Sequence, residues 1–86
     1  MLQVIEIIVD DKEYQIEWNI SEHFDELKGR KFMLNEMAAD RIVNIKDLSE
    51  MAKILLSAVA GAAIQYLIDI KINIDSIFEN GYFIVK

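Results

Sequence analysis

From Ile54 to Ile68, between Lys53 and Asp69, the chain carries no charged side chain, and residues 57–66 read SAVAGAAIQY. A helix that meets water shows polar residues along one side, so a helix of this composition has to be covered on more than one side. Leu48, Ala52, Leu55, Val59, Ala62 and Tyr66 form one stripe at helical spacing, suited to lie against a sheet. The opposite side opens with Glu50 and Lys53 and continues as Ser57, Ala60, Gly61 and Ile64, with nothing charged to face solvent. Asp47 followed by Glu50 has the spacing of a capping box that would open this helix.

Gly61 allows two endings. As a C′ residue it would stop the helix, and Ile64, Tyr66 and Ile68 would begin an alternating strand. The loop between them would be almost wholly apolar, whereas loops run over the surface and are polar. The sequence therefore favours a helix to about Tyr66 with Gly61 inside it. A mid-helix glycine costs about 1 kcal/mol relative to alanine. The small-xxx-small spacing of Ser57 and Gly61 gives a reason to accept that cost, namely close approach of a second backbone. The expectation is a homo-oligomer, a two-fold dimer built partly on Ser57, Ala60, Gly61 and Ile64. The competing expectation is that residues 30–46 fold back over the same face.

The ends of the chain have the other periodicity. Tyr14, Ile16, Trp18 and Ile20 alternate with Glu13, Gln15, Glu17 and Asn19, the pattern of a half-buried strand. With the turn in DDKE, Val9 faces Tyr14, Ile7 faces Ile16 and Ile5 faces Trp18; the other side then sets Glu6 against Glu17, an unfavourable like-charge pair. Ile68, Ile70, Ile72 and Ile74 alternate with Asp69, Lys71, Asn73 and Asp75, and Asn80-Gly81 precedes YFIVK, which predicts a second hairpin. Strands are thus predicted over 2–9, 13–20, 68–74 and 82–85. In NISEHFDELKG, Asn19 or Ser21 caps a short helix with Ile20, Phe24 and Leu27 on one side and Gly29 at its end. Leu34, Met37, Ala38, Ile42 and Ile45 fit a helical stripe, although RIVNI also fits a short strand. The class is α+β: one antiparallel sheet from N- and C-terminal hairpins, with a helical middle packed on one face, in a single domain 1–86.

An 86-residue domain hides only about 60–65% of its unfolded surface. Its 53% apolar content exceeds the roughly 45–50% of ordinary chains; that usual figure counts Gly in place of Tyr, and this chain has three of each. Nine basic residues against fifteen acidic ones leave a net charge of −6, which removes the attraction that draws proteins to phosphate backbones, so no direct nucleic-acid contact is expected. The chain has no Cys, hence no disulfide or thiolate metal site. MLQVIEIIVDDKE has no basic leader, and Ile54 to Ile68 falls short of the roughly 20 residues that span a bilayer. The expected location is the cytoplasm, without a membrane anchor. Isoleucine-rich, proline-free composition is associated with AT-rich bacterial or phage genomes.

Chemistry-bearing residues are sparse. Ser21, His23 and Asp25 are the residue types of a hydrolytic triad, but residues two apart point in different directions. Glu22, His23 and Glu26 share a helical face and have the types for a divalent metal; as solvated charges they equally complement a helix dipole. Asp10-Asp11 reads as a turn. Arg30-Lys31 either decorates the end of the short helix or takes a phosphate, and with Tyr66 and Tyr82 forms the candidate ligand-binding set. If both hairpins share a sheet, Glu13, Glu17, Asp69 and Asp75 give it an acidic face suited to a basic partner protein. Met33, Met37 and Met51 suit an adaptable binding surface or gap-filling core. No spacing supports catalysis, a metal or a cofactor. The functional expectation is a non-enzymatic small acidic protein that binds another protein, of phage or mobile-element inhibitor or accessory type. The alternative is a small-ligand binder with a pocket between helix and sheet or between subunits.

Overall fold

The computed structural model describes residues 2–19 and 22–86. Asp10 and Asp11 both adopt left-handed backbone, with φ of 51° and 64°. A two-residue reversal of this hand matches the twist of the strands it joins. It pairs β1 (Leu2–Val9) with β2 (Lys12–Asn19), setting Val9 against Lys12, Ile7 against Tyr14, Ile5 against Ile16 and Gln3 against Trp18. This register differs by two residues from the one read off the sequence, because the turn uses two residues where four were allotted. A shift of two keeps every side chain on its side of the sheet. The like-charge pair also disappears: Glu6 faces Gln15, and Glu17 faces Val4. The expected last strand residue, Ile20, and the alternative cap, Ser21, lie outside the described residues.

Two more strands, β3 (Lys31–Met33) and β4 (Gly81–Val85), complete an antiparallel sheet in the order β2-β1-β4-β3. The N- and C-terminal strands are therefore central neighbours, with Ile7 beside Phe83 and Ile5 beside Val85. The expected strand over 68–74, and the C-terminal hairpin with it, is not formed. Helix α2 (Glu50–Asp69) runs through Gly61 as expected and continues past Tyr66 to absorb Ile68 and Asp69. Lys71 then takes a left-handed φ of 68°, its N–H donating to the Ile68 carbonyl at 3.0 Å and that of Ile72 to the Leu67 carbonyl at 3.0 Å. This is a Schellman closure with lysine where glycine is usual. Asn73 next caps α3 (Ile74–Asn80), its side-chain oxygen accepting from the Asp75 N–H at 2.8 Å. The alternating isoleucines thus straddle a helix end, a reversal and a cap, which leaves Ile68, Ile70 and Ile74 exposed.

Gly81 is likewise not in a hairpin turn. It joins α3 directly to β4, and a Cβ there would collide with the Ile77 carbonyl and the Leu34 side chain. Asn80 Nδ2 ties this junction to the first hairpin by donating to Asp10 Oδ1 at 2.9 Å.

One face of the sheet is covered by α2. Ala52, Leu56, Val59, Ala60, Ala63 and Leu67 are its buried residues, in one core with Ile5, Ile7, Phe83 and Val85. The buried stripe is thus turned relative to the expected one: Ala52 and Val59 belong to both, while Leu55, Ala62 and Tyr66 are half-buried at its margin. Phe32 and Phe83 pack at 5.4 Å between ring centroids. Within residues 22–29, Phe24–Glu26 form a 3₁₀ turn in place of the expected short helix, with Phe24 and Leu27 buried, before Gly29 at φ 76°. Residues 30–46 hold β3, another 3₁₀ turn at Leu34–Glu36 and the short helix α1 (Ala39–Ile42), not one continuous helix. Their expected stripe is buried at Leu34 and Ile42, half-buried at Met37 and Ile45, and exposed at Ala38. With 20 residues and a mean hydropathy of 1.7 over its most apolar 18, α2 is long and apolar enough to cross a membrane by length and composition; here one side of it is packed on the sheet.

Candidate functional site

The outer face of α2 is apolar and uncovered. Met51 is 54% exposed, Ile54 63% and Ile68 39%, with Ser57, Ala58 and Gly61 exposed between them. Positions 51, 54, 58, 61, 65 and 68, of which only Gln65 is strongly polar, are spaced alternately by three and four, which keeps them in a gently winding stripe along the helix for about 25 Å. Ile54 stands as a ridge between two depressions, one lined by Ala39, Val43 and Ser57, the other by His23, Met51 and Ala58. Of the expected interface residues, Ser57 and Gly61 lie on this face. Ala60 does not: it is buried against the sheet, and Ile64 is half-buried on the core. Residues 39–43 fold back along one flank, where Ile42 is buried and the Val43 carbonyl accepts from Lys53 Nζ at 2.9 Å. The seam itself stays open, and a Cβ on Gly61 would meet nothing within 4 Å. The total accessible surface of 5358 Å² is close to the roughly 5,200 Å² expected for a monomer of this mass.

At the start of α2 the cap is Ser49, not Asp47. Ser49 Oγ accepts from the Ala52 N–H at 3.2 Å and donates to Glu26 Oε2 at 2.6 Å, while the Ser49 N–H donates to Glu26 Oε1 at 2.9 Å. These two bonds, the hydroxyl first, hold the Glu26 carboxyl below its ordinary range. His23 Nδ1 lies 3.2 Å from Glu26 Oε2. Serine, acid and histidine do meet here, but with the carboxylate in the middle, so the serine proton faces a weakened base and not an imidazole. Asp25 instead lies 4.0 Å from Lys28 Nζ, and Ser21 lies outside the described residues. Among the described residues no three His, Asp or Glu side chains gather as a metal site, so Glu22, His23 and Glu26 are not brought together as one.

The remaining candidates are redistributed. Glu13 and Glu17 are exposed on β2, but Asp69 ends α2, accepting from Gln65 Nε2 at 2.9 Å, and Asp75 opens α3. The expected acidic sheet face is therefore not assembled, since two of its four members are off the sheet. Arg30 pairs with Asp47, its NH1 at 3.1 Å from Oδ2, and stacks 5.5 Å from the Phe32 ring centroid. Lys31 Nζ sits 4.1 Å from the Tyr82 ring centroid.

Arg30 and Lys31 also line a groove of about 340 Å³ with Met33, Met37, Arg41 and Ile45, between β3 and the segment that follows it. Phe32, Glu36 and Asn44 complete its lining. Of the expected ligand-binding set, Tyr82 adjoins Lys31 in a separate depression on the other side, and Tyr66 packs on the core from α2. Arg41 and Asn44 went unnoticed in the sequence, yet a signal for them exists. Residues 28–46 carry five cations against two carboxylates, a net of +3, while the rest of the chain carries four against thirteen, a net of −9. Both arginines of the chain line this groove.

No protein-family model, curated protein or solved structure matches the chain.

Proposed function

We propose that this chain is a non-enzymatic, cytoplasmic protein that acts by binding another protein, and that the outer face of α2 is a contact surface. The carrying observation is that face: Met51, Ile54 and Ile68 exposed along a helix with no charge between Lys53 and Asp69. The simplest first occupant is a second copy. A two-fold axis near the middle of the helix sets Met51 against Ile68 and Ala58 against Gly61, and brings Lys71 to the end of the other helix that bears Glu50. The composition supports an inhibitor or accessory role of phage or mobile-element type.

Light scattering on the wild type and on Ile54→Glu tests the contact. The expected result is a dimer that the substitution splits, because a carboxylate at the seam would be desolvated without a partner. A wild-type monomer at micromolar concentration ends the dimer. A tagged wild type that recovers no partner beyond what Ile54→Glu recovers from its host ends the wider reading.

A further inference from the structure

We infer that the groove beside β3 takes an acidic segment of a partner protein in extended form, added to the sheet as a fifth strand. The inference deepens the reading of the chain as a protein-binding protein, but it uses a different surface from the outer face of α2.

Two independent features converge on the groove. The first is the sheet edge. In an antiparallel ladder each residue directs its N–H and C=O to the same side. Over Lys31–Met33, either Phe32 or both Lys31 and Met33 must aim theirs away from β4. Among the described residues none of these groups has a backbone partner outside the sheet and the 3₁₀ turn that Met33 caps. An extended peptide laid along β3 would supply the missing partners. The second feature is charge. The chain as a whole is acidic, yet both its arginines, Arg30 and Arg41, line this groove, with Glu36 as the one opposing carboxylate in the lining; Lys31 lines it too but holds its ammonium over Tyr82. Arg30 is committed to Asp47, whereas Arg41 is exposed and in no ion pair among the described residues. Its guanidinium is the one placed to take a peptide carboxylate in two parallel hydrogen bonds. Met33, Met37 and Ile45 are half-buried in the same lining and offer adaptable apolar contact for the peptide's alternate side chains.

The test is fluorescence anisotropy with a labelled hexapeptide alternating Glu with Val and Leu, at low ionic strength where charge attraction is least screened. The Glu peptide should bind saturably and its Lys counterpart should not. Arg41→Glu should weaken binding about tenfold or more, the loss of a charge-assisted pair. N-methylation of alternate peptide amides should weaken it comparably, because strand addition needs those donors. Ile54→Glu should leave binding unchanged. Because Arg41 is exposed, its variant should keep the wild-type circular dichroism spectrum.

No saturable binding overturns the inference, as does equal binding of the Lys peptide or an unaffected Arg41→Glu. An N-methylated peptide that binds as well shows charge attraction without strand addition and also overturns it. Glutarate competing as effectively as the peptide would make the groove a small-anion site, and the inference would be wrong. Loss of binding in Ile54→Glu would move the peptide to the outer face of α2, which sinks this inference while leaving the proposed contact surface standing.

Discussion

The two long faces of α2 both lack charge between Lys53 and Asp69 and have opposite surroundings. The inner face sets Ala52, Leu56, Val59, Ala63 and Leu67 against the sheet, all with no exposure, while the outer face offers Met51 and Ile54 more than half exposed. Hydrophobicity along this helix therefore does not say which side is core. What distinguishes the faces is what the rest of the chain can reach: a four-stranded sheet covers one side, and the short α1 covers only a flank.

Substitutions separate the two faces by the size of their effects. Leu56→Ala should cost about 2–5 kcal/mol in denaturant unfolding, the range for a large core residue cut back in a packed interior. Ile54→Ala should change the stability of an isolated copy by no more than about 0.5 kcal/mol, as an exposed position does. A large loss at Ile54, growing with protein concentration, would mean that a second copy makes the outer face a core as well.

The shared entry to both faces comes next. Ser49→Ala should cost about 1 kcal/mol, because the first turn loses its cap. Gly61→Ala reads the outer face through its sign. If the face meets water, alanine should stabilise by about 0.5–1 kcal/mol, since the added methyl meets no neighbour within 4 Å. If two helices cross tightly at this point, the same methyl should weaken association measured by light scattering.

Smaller effects fall at the helix ends. Lys71→Gly should be neutral or stabilise by at most about 1 kcal/mol, as the left-handed residue of the closing motif is relieved. The Glu26 carboxyl is held low only in the folded state. Its contribution is therefore complete above the ordinary unfolded carboxylate value of about 4.3 and is lost as pH falls through the lower folded value. Glu26→Gln should flatten the pH dependence of the melting temperature over that acidic window. His23→Ala should change the biological effect of the protein by less than a few-fold, because the imidazole touches the capping carboxylate from outside.

Legibility from the sequence followed the range of the forces involved. The first hairpin and the helix through Gly61 were readable because period and turn chemistry are local. The isoleucines from Ile68 to Ile74 misled because period two says nothing about a ladder partner, and both sides of β4 are taken by β1 and β3. β3 was missed because three residues carry no periodicity; only its place beside β4, with Phe32 opposite Phe83, makes them a strand. Among candidate residues, Arg30 with Lys31 was visible as a pair, while Arg41 reaches the same groove only through the turn at Leu34–Glu36. Ser49, whose capping bond to the Ala52 N–H is local, was passed over because Asp47 has capping-box spacing with Glu50; its further contact with Glu26 is made across the fold.

The placement of β4 between β1 and β3 has a consequence for how the protein is made. During synthesis β1 and β2 emerge early and can zip together, but β4, the strand that joins them to β3, follows the other described elements in chain order. Until then the buried side of the hairpin and all of α2 have no completed sheet to rest on. Pairings of such sequence separation are slow to form, and exposed apolar strands invite aggregation while they wait. Truncation before Gly81 would thus leave a chain at its most adhesive stage, and the pairing of β4, more than any local element, is the event that commits this chain to its fold.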